Sequence, residues 1–297
     1  MPLLFLCLIL LSLPLLAVTG NHPNIKRSVT HSLEVVYPRT MRGLDESTLY
    51  PLVLLKAALT HSGAPYTIKA STVDTVQSRA LKELLHKGGI NVAWSMTTQQ
   101  RENDLLPVRI PLFKGLYGWR LLFTKQSYME KLTSINKLTE LQKLYFIQGH
   151  DWPDTQILIN NDFMVTTSVE YDSLFNMLNV GRGDVFPRSI LEVEGELEAF
   201  KDKVDLTIVP HLMLQYPTAV YFFFDPNNPE IANAVRRGLQ LMQENGEFDK
   251  LFLAFYGTAI QRANIPSKTI IKLQNSFLPK QTPLADDSLW FSVHDLN

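Results

Sequence analysis

Arginine is the side chain in this sequence best suited to gripping a small charged molecule. Its guanidinium is a planar fork that meets a carboxylate with two parallel hydrogen bonds and stays charged at any relevant pH. Three arginines stand out by context. Arg101 follows Ser95-Met96-Thr97-Thr98, in which Thr98 is a natural helix cap and Ser95 could offer a hydroxyl or backbone group. Arg39 ends the run Tyr37-Pro38-Arg39, and Arg188 precedes Ser189 in Gly183-Asp184-Val185-Phe186-Pro187-Arg188-Ser189. Grouped in one cleft, these arginines would hold an anion. A second constellation, Gly149-His150-Asp151-Trp152, offers a carboxylate and an aromatic wall, which suit an amine or an amino acid. Each residue also has an ordinary reading. An arginine is commonly a surface salt-bridge partner, a carboxylate just before a helix is favoured by the helix dipole, and a tryptophan often belongs to the core. The sequence leaves anion and zwitterion both open.

Spacings that mark covalent or metal chemistry are missing. There is no Gly-x-Ser-x-Gly, His-Glu-x-x-His or phosphate-binding loop, and Gly181-Arg182-Gly183 has Phe186 where a dinucleotide site needs its third glycine. The histidines, among them His61, His86, His150 and His211, form no ligand pair on one element. These absences predict a binding protein that needs no cofactor or metal and performs no chemistry. A lyase or dehydratase on the same scaffold is the enzymatic alternative, because it would need only an acid and a base in the cleft.

The elements around these residues alternate between strand and helix periods. Residues 32–37, 66–70 and 91–94 read as strands, and 48–61 as a helix with Leu52, Leu55 and Leu59 on one face. Asp74 is a candidate cap for a helix carrying Leu81, Leu84 and Leu85. A second block alternates from 119 to about 185, with strands at 119–124, 145–148 and 164–167 and helices at 138–144, near Pro153 and at 171–178. An aromatic strand at 219–224 precedes a helix with Ile231, Val235, Leu239 and Met242 on one face, and then a shorter helix ending at Gly257. The remaining tail reads as surface packing. Strand–helix–strand repetition implies parallel pairing and an α/β architecture.

The chain has 297 residues, with 28 Lys+Arg against 29 Asp+Glu, so no basic field points to nucleic acid. Residues 3–18 are almost wholly apolar but are broken by Ser12 and Pro14, too short a run to span a bilayer. Val18 and Gly20 fit a signal-peptidase site, which predicts a signal peptide over 1–20 and an exported, soluble protein. The one cysteine, Cys7, lies in that leader, so the mature chain carries no thiol, as suits an oxidising compartment.

Together these features resemble the family 3 extracellular solute-binding proteins, the periplasmic receptors typical of amino-acid ABC transporters. The resemblance rests on Trp94 to Arg101 followed by Pro111-Leu112-Phe113-Lys114-Gly115, which looks like the family's Thr-x-x-Arg segment and the strand crossing between lobes. Gly246-Glu247-Phe248-Asp249-Lys250-Leu251-Phe252 is similar to its late helix–turn–helix, and Gln148 through Asp154 resembles one of its branches. The resemblance implies a type II periplasmic-binding-protein fold of two α/β lobes joined by two crossing hinge strands, near Gly115–Trp119 and Gln215–Thr218. Lobe one would comprise 29–112 plus 219–297, and lobe two 113–218. It further implies that Arg101 and Thr98 hold a ligand carboxylate, with Ser95, Arg39, Arg188, Ser189, Gly149, Asp151 and Trp152 as further cleft residues. Two departures bear on the ligand: Met96 replaces a ligand-binding threonine, and Ser189 stands where an aspartate would pair with the ligand's ammonium. The implied protein is a periplasmic monomer that captures a small polar ligand and presents it to a membrane permease or a separate sensor.

Overall fold

The computed structural model of the protein describes residues 31–39, 49–75, 77–86 and 89–293. The leader, its cleavage point near Gly20 and the start of the first predicted helix at Thr48 lie outside the described residues. In chain order the first part runs β1 (Leu33–Arg39), α1 (Tyr50–His61), β2 (Tyr66–Asp74), α2 (Gln77–Glu83), β3 (Ala93–Met96), α3 (Gln99–Asp104) and β4 (Leu106–Val108). The middle runs β5 (Trp119–Lys125), α4 (Met129–Leu132), α5 (Leu138–Leu141), β6 (Tyr145–Gly149), α6 (Pro153–Ile159), β7 (Met164–Ser168), α7 (Tyr171–Asn179), β8 (Phe186–Ser189), α8 (Val193–Phe200), β9 (Leu206–Ile208) and β10 (Leu212–Gln215). The last part runs β11 (Val220–Phe224), α9 (Glu230–Glu244), α10 (Glu247–Arg262) and β12 (Thr269–Lys272).

Two α/β lobes result. In the first, β1 and β2 pair in parallel, and the N–H groups of Asn91 and Val92 donate to Val36 O, joining β1 to the segment that enters β3. Strand β11 then lies between β3 and β4, antiparallel to both. Its five residues, Val220–Phe224, are all buried because helices or loops cover both faces. In the second lobe β6 pairs with β7 in parallel, and Phe146 bridges to Val185 just ahead of β8. Strand β8 pairs with one edge of β5, and β9 and β10 share the other.

The connection between the lobes is a pair of crossing strands. Trp119 at the start of β5 faces Gln215 at the end of β10, and Tyr216 N donates to Gly118 O. The chain therefore crosses twice side by side, where the hinge was predicted. One buried cluster spans both lobes, from Val35, Leu55 and Val235 through Leu121 to Phe146, Phe175 and Phe186. A smaller cluster under α2 joins Leu81 and Leu84 to Tyr221 and Phe223.

Three local expectations need correction. Asp74 is the last residue of β2 and does not stand at the N-cap position of α2, which starts at Gln77. Gly257 does not end a helix: α10 runs on to Arg262, because Phe252 and Ile260 keep one face buried on either side of the glycine. The tail carries more than surface packing. Strand β12 pairs in parallel with β10, next to the crossing strands, and its run Thr269-Ile270-Ile271-Lys272 is too short to show a period.

Candidate functional site

A cleft of about 1010 Å³ opens beside the crossing strands. Trp94, Ser95 and Met96 at the end of β3 and Phe113 and Tyr117 of the first crossing segment line one side. Arg120, Trp152, Asp154, Tyr171, Arg188, Glu192 and Glu196 line the other. A second depression, of about 940 Å³, lies over β1, β2 and α2 and contains none of the predicted ligand residues.

Arg101 sits in a helix built to hold it. Thr98 is the N-cap of α3, and its Oγ1 accepts from Arg101 N at 3.2 Å. Glu102, its side chain almost fully buried, accepts from Thr97 Oγ1 at 2.6 Å and from Arg109 at 2.7 Å, which anchors the other side of the helix. The guanidinium folds back so that Nη1 donates to Ser95 Oγ at 2.7 Å and to Met96 O at 2.6 Å. Ser95 and Met96 line the cleft; Arg101 is bonded to both but, like Thr98, is not itself one of the lining residues. Its Nε and Nη2 have no hydrogen-bond partner among the described residues. Burial lowers its pKa, while Asp151 and Asp154 across the cleft push the other way. At Met96, the backbone carbonyl holds Arg101.

The opposite wall is an ionic cluster that sequence reasoning largely missed. Arg120, only 2% exposed, donates from Nη2 to Asp154 Oδ1 at 2.5 Å and from Nε to the Tyr216 hydroxyl at 2.9 Å. Tyr216 in turn donates to Asp154. Arg188 grips Glu196 through Nε and Nη2 and reaches Glu192 Oε1 at 2.7 Å. Tyr171 also donates to Glu196. Glu192 lies between the two arginines, 3.4 Å from Arg120, and accepts from Ser189 N at 3.1 Å. Burial pushes the Glu192 carboxyl above its ordinary range; Arg188 opposes the shift and Glu196 adds to it. For Arg188 the penalty of burial is more than offset by Glu192 and Glu196, and its pKa ends well raised.

Trp152 forms the roof of this cluster. The Arg188 guanidinium lies 4.7 Å from its ring, and Phe186 stacks on it at 22°. Gly149 makes this packing possible, because a Cβ there would run into the Trp152 indole. Gly149 O also accepts from Thr155 Oγ1 and Trp152 N, closing the turn between β6 and α6.

Several predicted residues take other roles. Arg39 is exposed at the end of β1, opposite Asp74, with its backbone N–H on Ser71 Oγ, and it does not line the cleft. Among the described residues the predicted grouping of Arg39, Arg101 and Arg188 is not seen in the cleft lining, where only Arg188 of the three appears. Asp151 is exposed in the turn before α6 and does not line the cleft, whereas Asp154, one turn later, does. Ser189 is fully buried and spends its hydroxyl on the backbone, donating to Leu116 O and accepting from Leu191 N. Arg188 and Trp152 do line the cleft, but against each other. The signals for the missed residues were weak: Glu192 and Glu196 follow the predicted Arg188 at four-residue steps, and Asp154 follows a helix-starting proline. Among the described residues no three or more His, Cys, Asp or Glu side chains are arranged to hold a metal ion; these carboxylates are met by arginine instead.

Searches of protein-family profiles and of curated proteins find no match to the chain. Solved structures do match in fold. An ancestral arginine-binding protein bound to arginine has a TM-score of 0.56 at 16% identity, over 76% of this chain and 98% of that one. The periplasmic VFT2 domain of BvgS from Bordetella pertussis has a TM-score of 0.58 at 14% identity, over 75% of this chain and 93% of that one. An ancestral amino-acid-binding protein, a precursor of cyclohexadienyl dehydratase, has a TM-score of 0.52 at 15% identity, over 76% of this chain and 95% of that one. The fold is the type II periplasmic-binding-protein fold.

Proposed function

We propose that the protein is an exported solute-binding protein of the family 3 type, and that it closes its two lobes on a zwitterionic, amino-acid-like ligand. One observation carries this reading: among the described residues, an arginine with open donors stands behind one wall of the cleft and an excess carboxylate lines the other. Behind the first wall, Arg101 has no partner among the described residues for Nε and Nη2, a fork suited to a carboxylate. On the second, two arginines (Arg120, Arg188) face three carboxylates (Asp154, Glu192, Glu196). An excess negative charge in a desolvated site is costly unless a cation joins it or a carboxylate takes up a proton, as the raised pKa of Glu192 favours. A ligand with a carboxylate at one end and an ammonium at the other answers both walls. A dianion would answer Arg101 and worsen the second wall, which argues against the all-anionic ligand that three grouped arginines would have suggested.

Closure over such a ligand excludes water, and the aromatic side chains Trp94, Phe113, Tyr117 and Trp152 supply apolar contact. The export signal over 1–20 and the crossing strands fit a periplasmic monomer that delivers its ligand to a membrane permease. A separate signalling partner for the closed form is the alternative.

Isothermal titration calorimetry with a panel of free amino acids, simple amines and dicarboxylates tests the reading. At least one amino acid should bind, and its binding should weaken by about 2–5 kcal/mol, roughly thirty- to several-thousand-fold, in Arg101→Ala. Arg101→Lys should recover part of that loss, since it restores charge but not the fork. Binding of dicarboxylates alone, or full affinity in Arg101→Ala, would refute the assignment.

A further inference from the structure

The segment after β12 is bonded in turn to lobe two, to both crossing strands and to the helix that carries Arg101. It begins at lobe two, where Leu273 N donates to Gln215 O at 2.8 Å. Asn161, just after α6, then clasps Gln274: its Nδ2 donates to Gln274 O at 2.8 Å and its Oδ1 accepts from Gln274 N at 3.0 Å. At the second crossing Asn275 Nδ2 donates to Pro217 O at 2.9 Å. Two residues on, Phe277 O accepts from Gln99 N at 3.1 Å, supplying a partner for the first N–H of α3. The segment then returns to the first crossing. Phe291 N donates to Lys114 O at 2.8 Å, and Lys114 Nζ reaches Ser288 O at 3.3 Å.

Contact at that point is close. A Cβ on Gly115, which has φ +79°, would lie 2.7 Å from the Trp290 ring, so only glycine lets the indole rest on the crossing chain. The indole is held there by Nε1 donating to Pro283 O at 2.8 Å. Phe291 meets Trp119 edge to face at 5.9 Å. Between the segment and the crossing strands a cavity of about 270 Å³ remains, lined by Gly115, Trp119, Tyr216, Thr218, Leu273 and Trp290. A filled interface would lock the crossing strands, and a void leaves them room to bend.

We propose that Leu273–Phe291 is a strap across the back of the hinge that limits how far the lobes open and holds α3, with its arginine, in the geometry of the closed cleft. Hinge opening must move α3 relative to Asn161, and the strap is bonded to both. Three of its polar links are backbone–backbone and four run through a side chain, and all are short-range, so separation beyond a small angle must break the Asn161–Gln274 clasp or the Phe277–Gln99 bond. The coupling to ligand affinity rests on the assignment of Arg101 above, but the limit on opening does not.

The test measures opening without any ligand. Spin labels at Lys56→Cys in α1 and Lys143→Cys after α5, both exposed, report the distance between lobes by electron–electron double resonance. Asn161→Ala and Trp290→Ala should each shift the ligand-free distribution to longer separations and broaden it. Lys280→Ala, exposed on the same segment, should leave it unchanged. Asn161→Asp and Trp290→Phe, which keep most of the packing, replace the alanine variants if those lose native circular dichroism. Unchanged distances in folded Asn161 and Trp290 variants would overturn the strap. Because no ligand is present, that result is distinct from a failure of the ligand reading.

Discussion

The two walls of the cleft use the same side chain in opposite ways. Behind the lobe-one wall, Arg101 is held by two bonds from one nitrogen, and the rest of its fork has no partner among the described residues. On the lobe-two wall, Arg188 is covered by Trp152 and satisfied by Glu192 and Glu196, and Arg120 is fixed by Asp154 and Tyr216. An arginine with free donors is available to a ligand. One whose donors are spent on buried carboxylates is part of the structure and shapes the site only through the charge it leaves behind. Residue type therefore says little about function here, and hydrogen-bond saturation says a good deal.

The comparison can be broken most sharply by removing an arginine from each wall. Arg188→Ala should destabilise the fold by about 3–5 kcal/mol, because it leaves Glu192 and Glu196 buried beside each other without a counter-charge. Arg101→Ala should change stability far less, since it leaves no buried carboxylate unpaired. Urea unfolding of both variants decides this, and equal losses would erase the distinction between the walls.

A smaller effect is expected at Gly149→Ala. The added methyl group meets the Trp152 indole, and overpacking of this kind costs about 1–3 kcal/mol. The displaced indole should also uncover Arg188, visible as a red shift and quenching of tryptophan fluorescence. A stable variant with unaltered emission would mean that the roof over Arg188 is loose.

The smallest effect concerns pH. The folded-state pKa of Glu192 is raised above the ordinary 4.5, chiefly by burial. A raised carboxyl pKa means that the folded state holds its proton longer than the unfolded state does. Its contribution to stability is therefore present in acid and is lost as pH rises from about the unfolded value through the folded pKa. Glu192→Gln should remove that slope and balance the cluster at two arginines against two carboxylates. Thermal melts across pH 4 to 8 should show a flatter profile for the variant. By contrast, Glu140 accepts from the backbone N–H groups of Asn136 and Lys137, which lower its pKa, so its contribution has the opposite sign and is lost as pH falls. If Glu192→Gln keeps the wild-type slope, Glu192 is not the group that titrates in the cluster.

Much of the architecture was legible along the chain, for a physical reason. Alternation and helical periodicity report which face of each element is buried, and burial is local enough to read from neighbours three or four residues away. The strands at 119–125 and 220–224 and the helix starting after Pro229 follow from such patterns, whereas the two crossing points came from the family resemblance. Arg101, with its Thr98 cap, was legible too, since capping is set within one turn. Short elements such as β9, β10 and β12 were not, because three or four residues carry no period.

What only the tertiary structure decided was the pairing of charges. Arg120 lies 34 positions before Asp154 and 96 before Tyr216, and Asn161 meets Gln274 across 113. No local pattern encodes those meetings. They depend on how β5, β8 and α6 converge at the crossing strands, and that convergence chose Asp154 over Asp151 and left Arg39 outside. The sequence by itself determined an α/β chain, with a resemblance that implied two lobes, and three candidate arginines. The fold determined the charge that faces Arg101, because the electrostatics of a desolvated cleft depend on which side chains meet in space and not on their order along the chain.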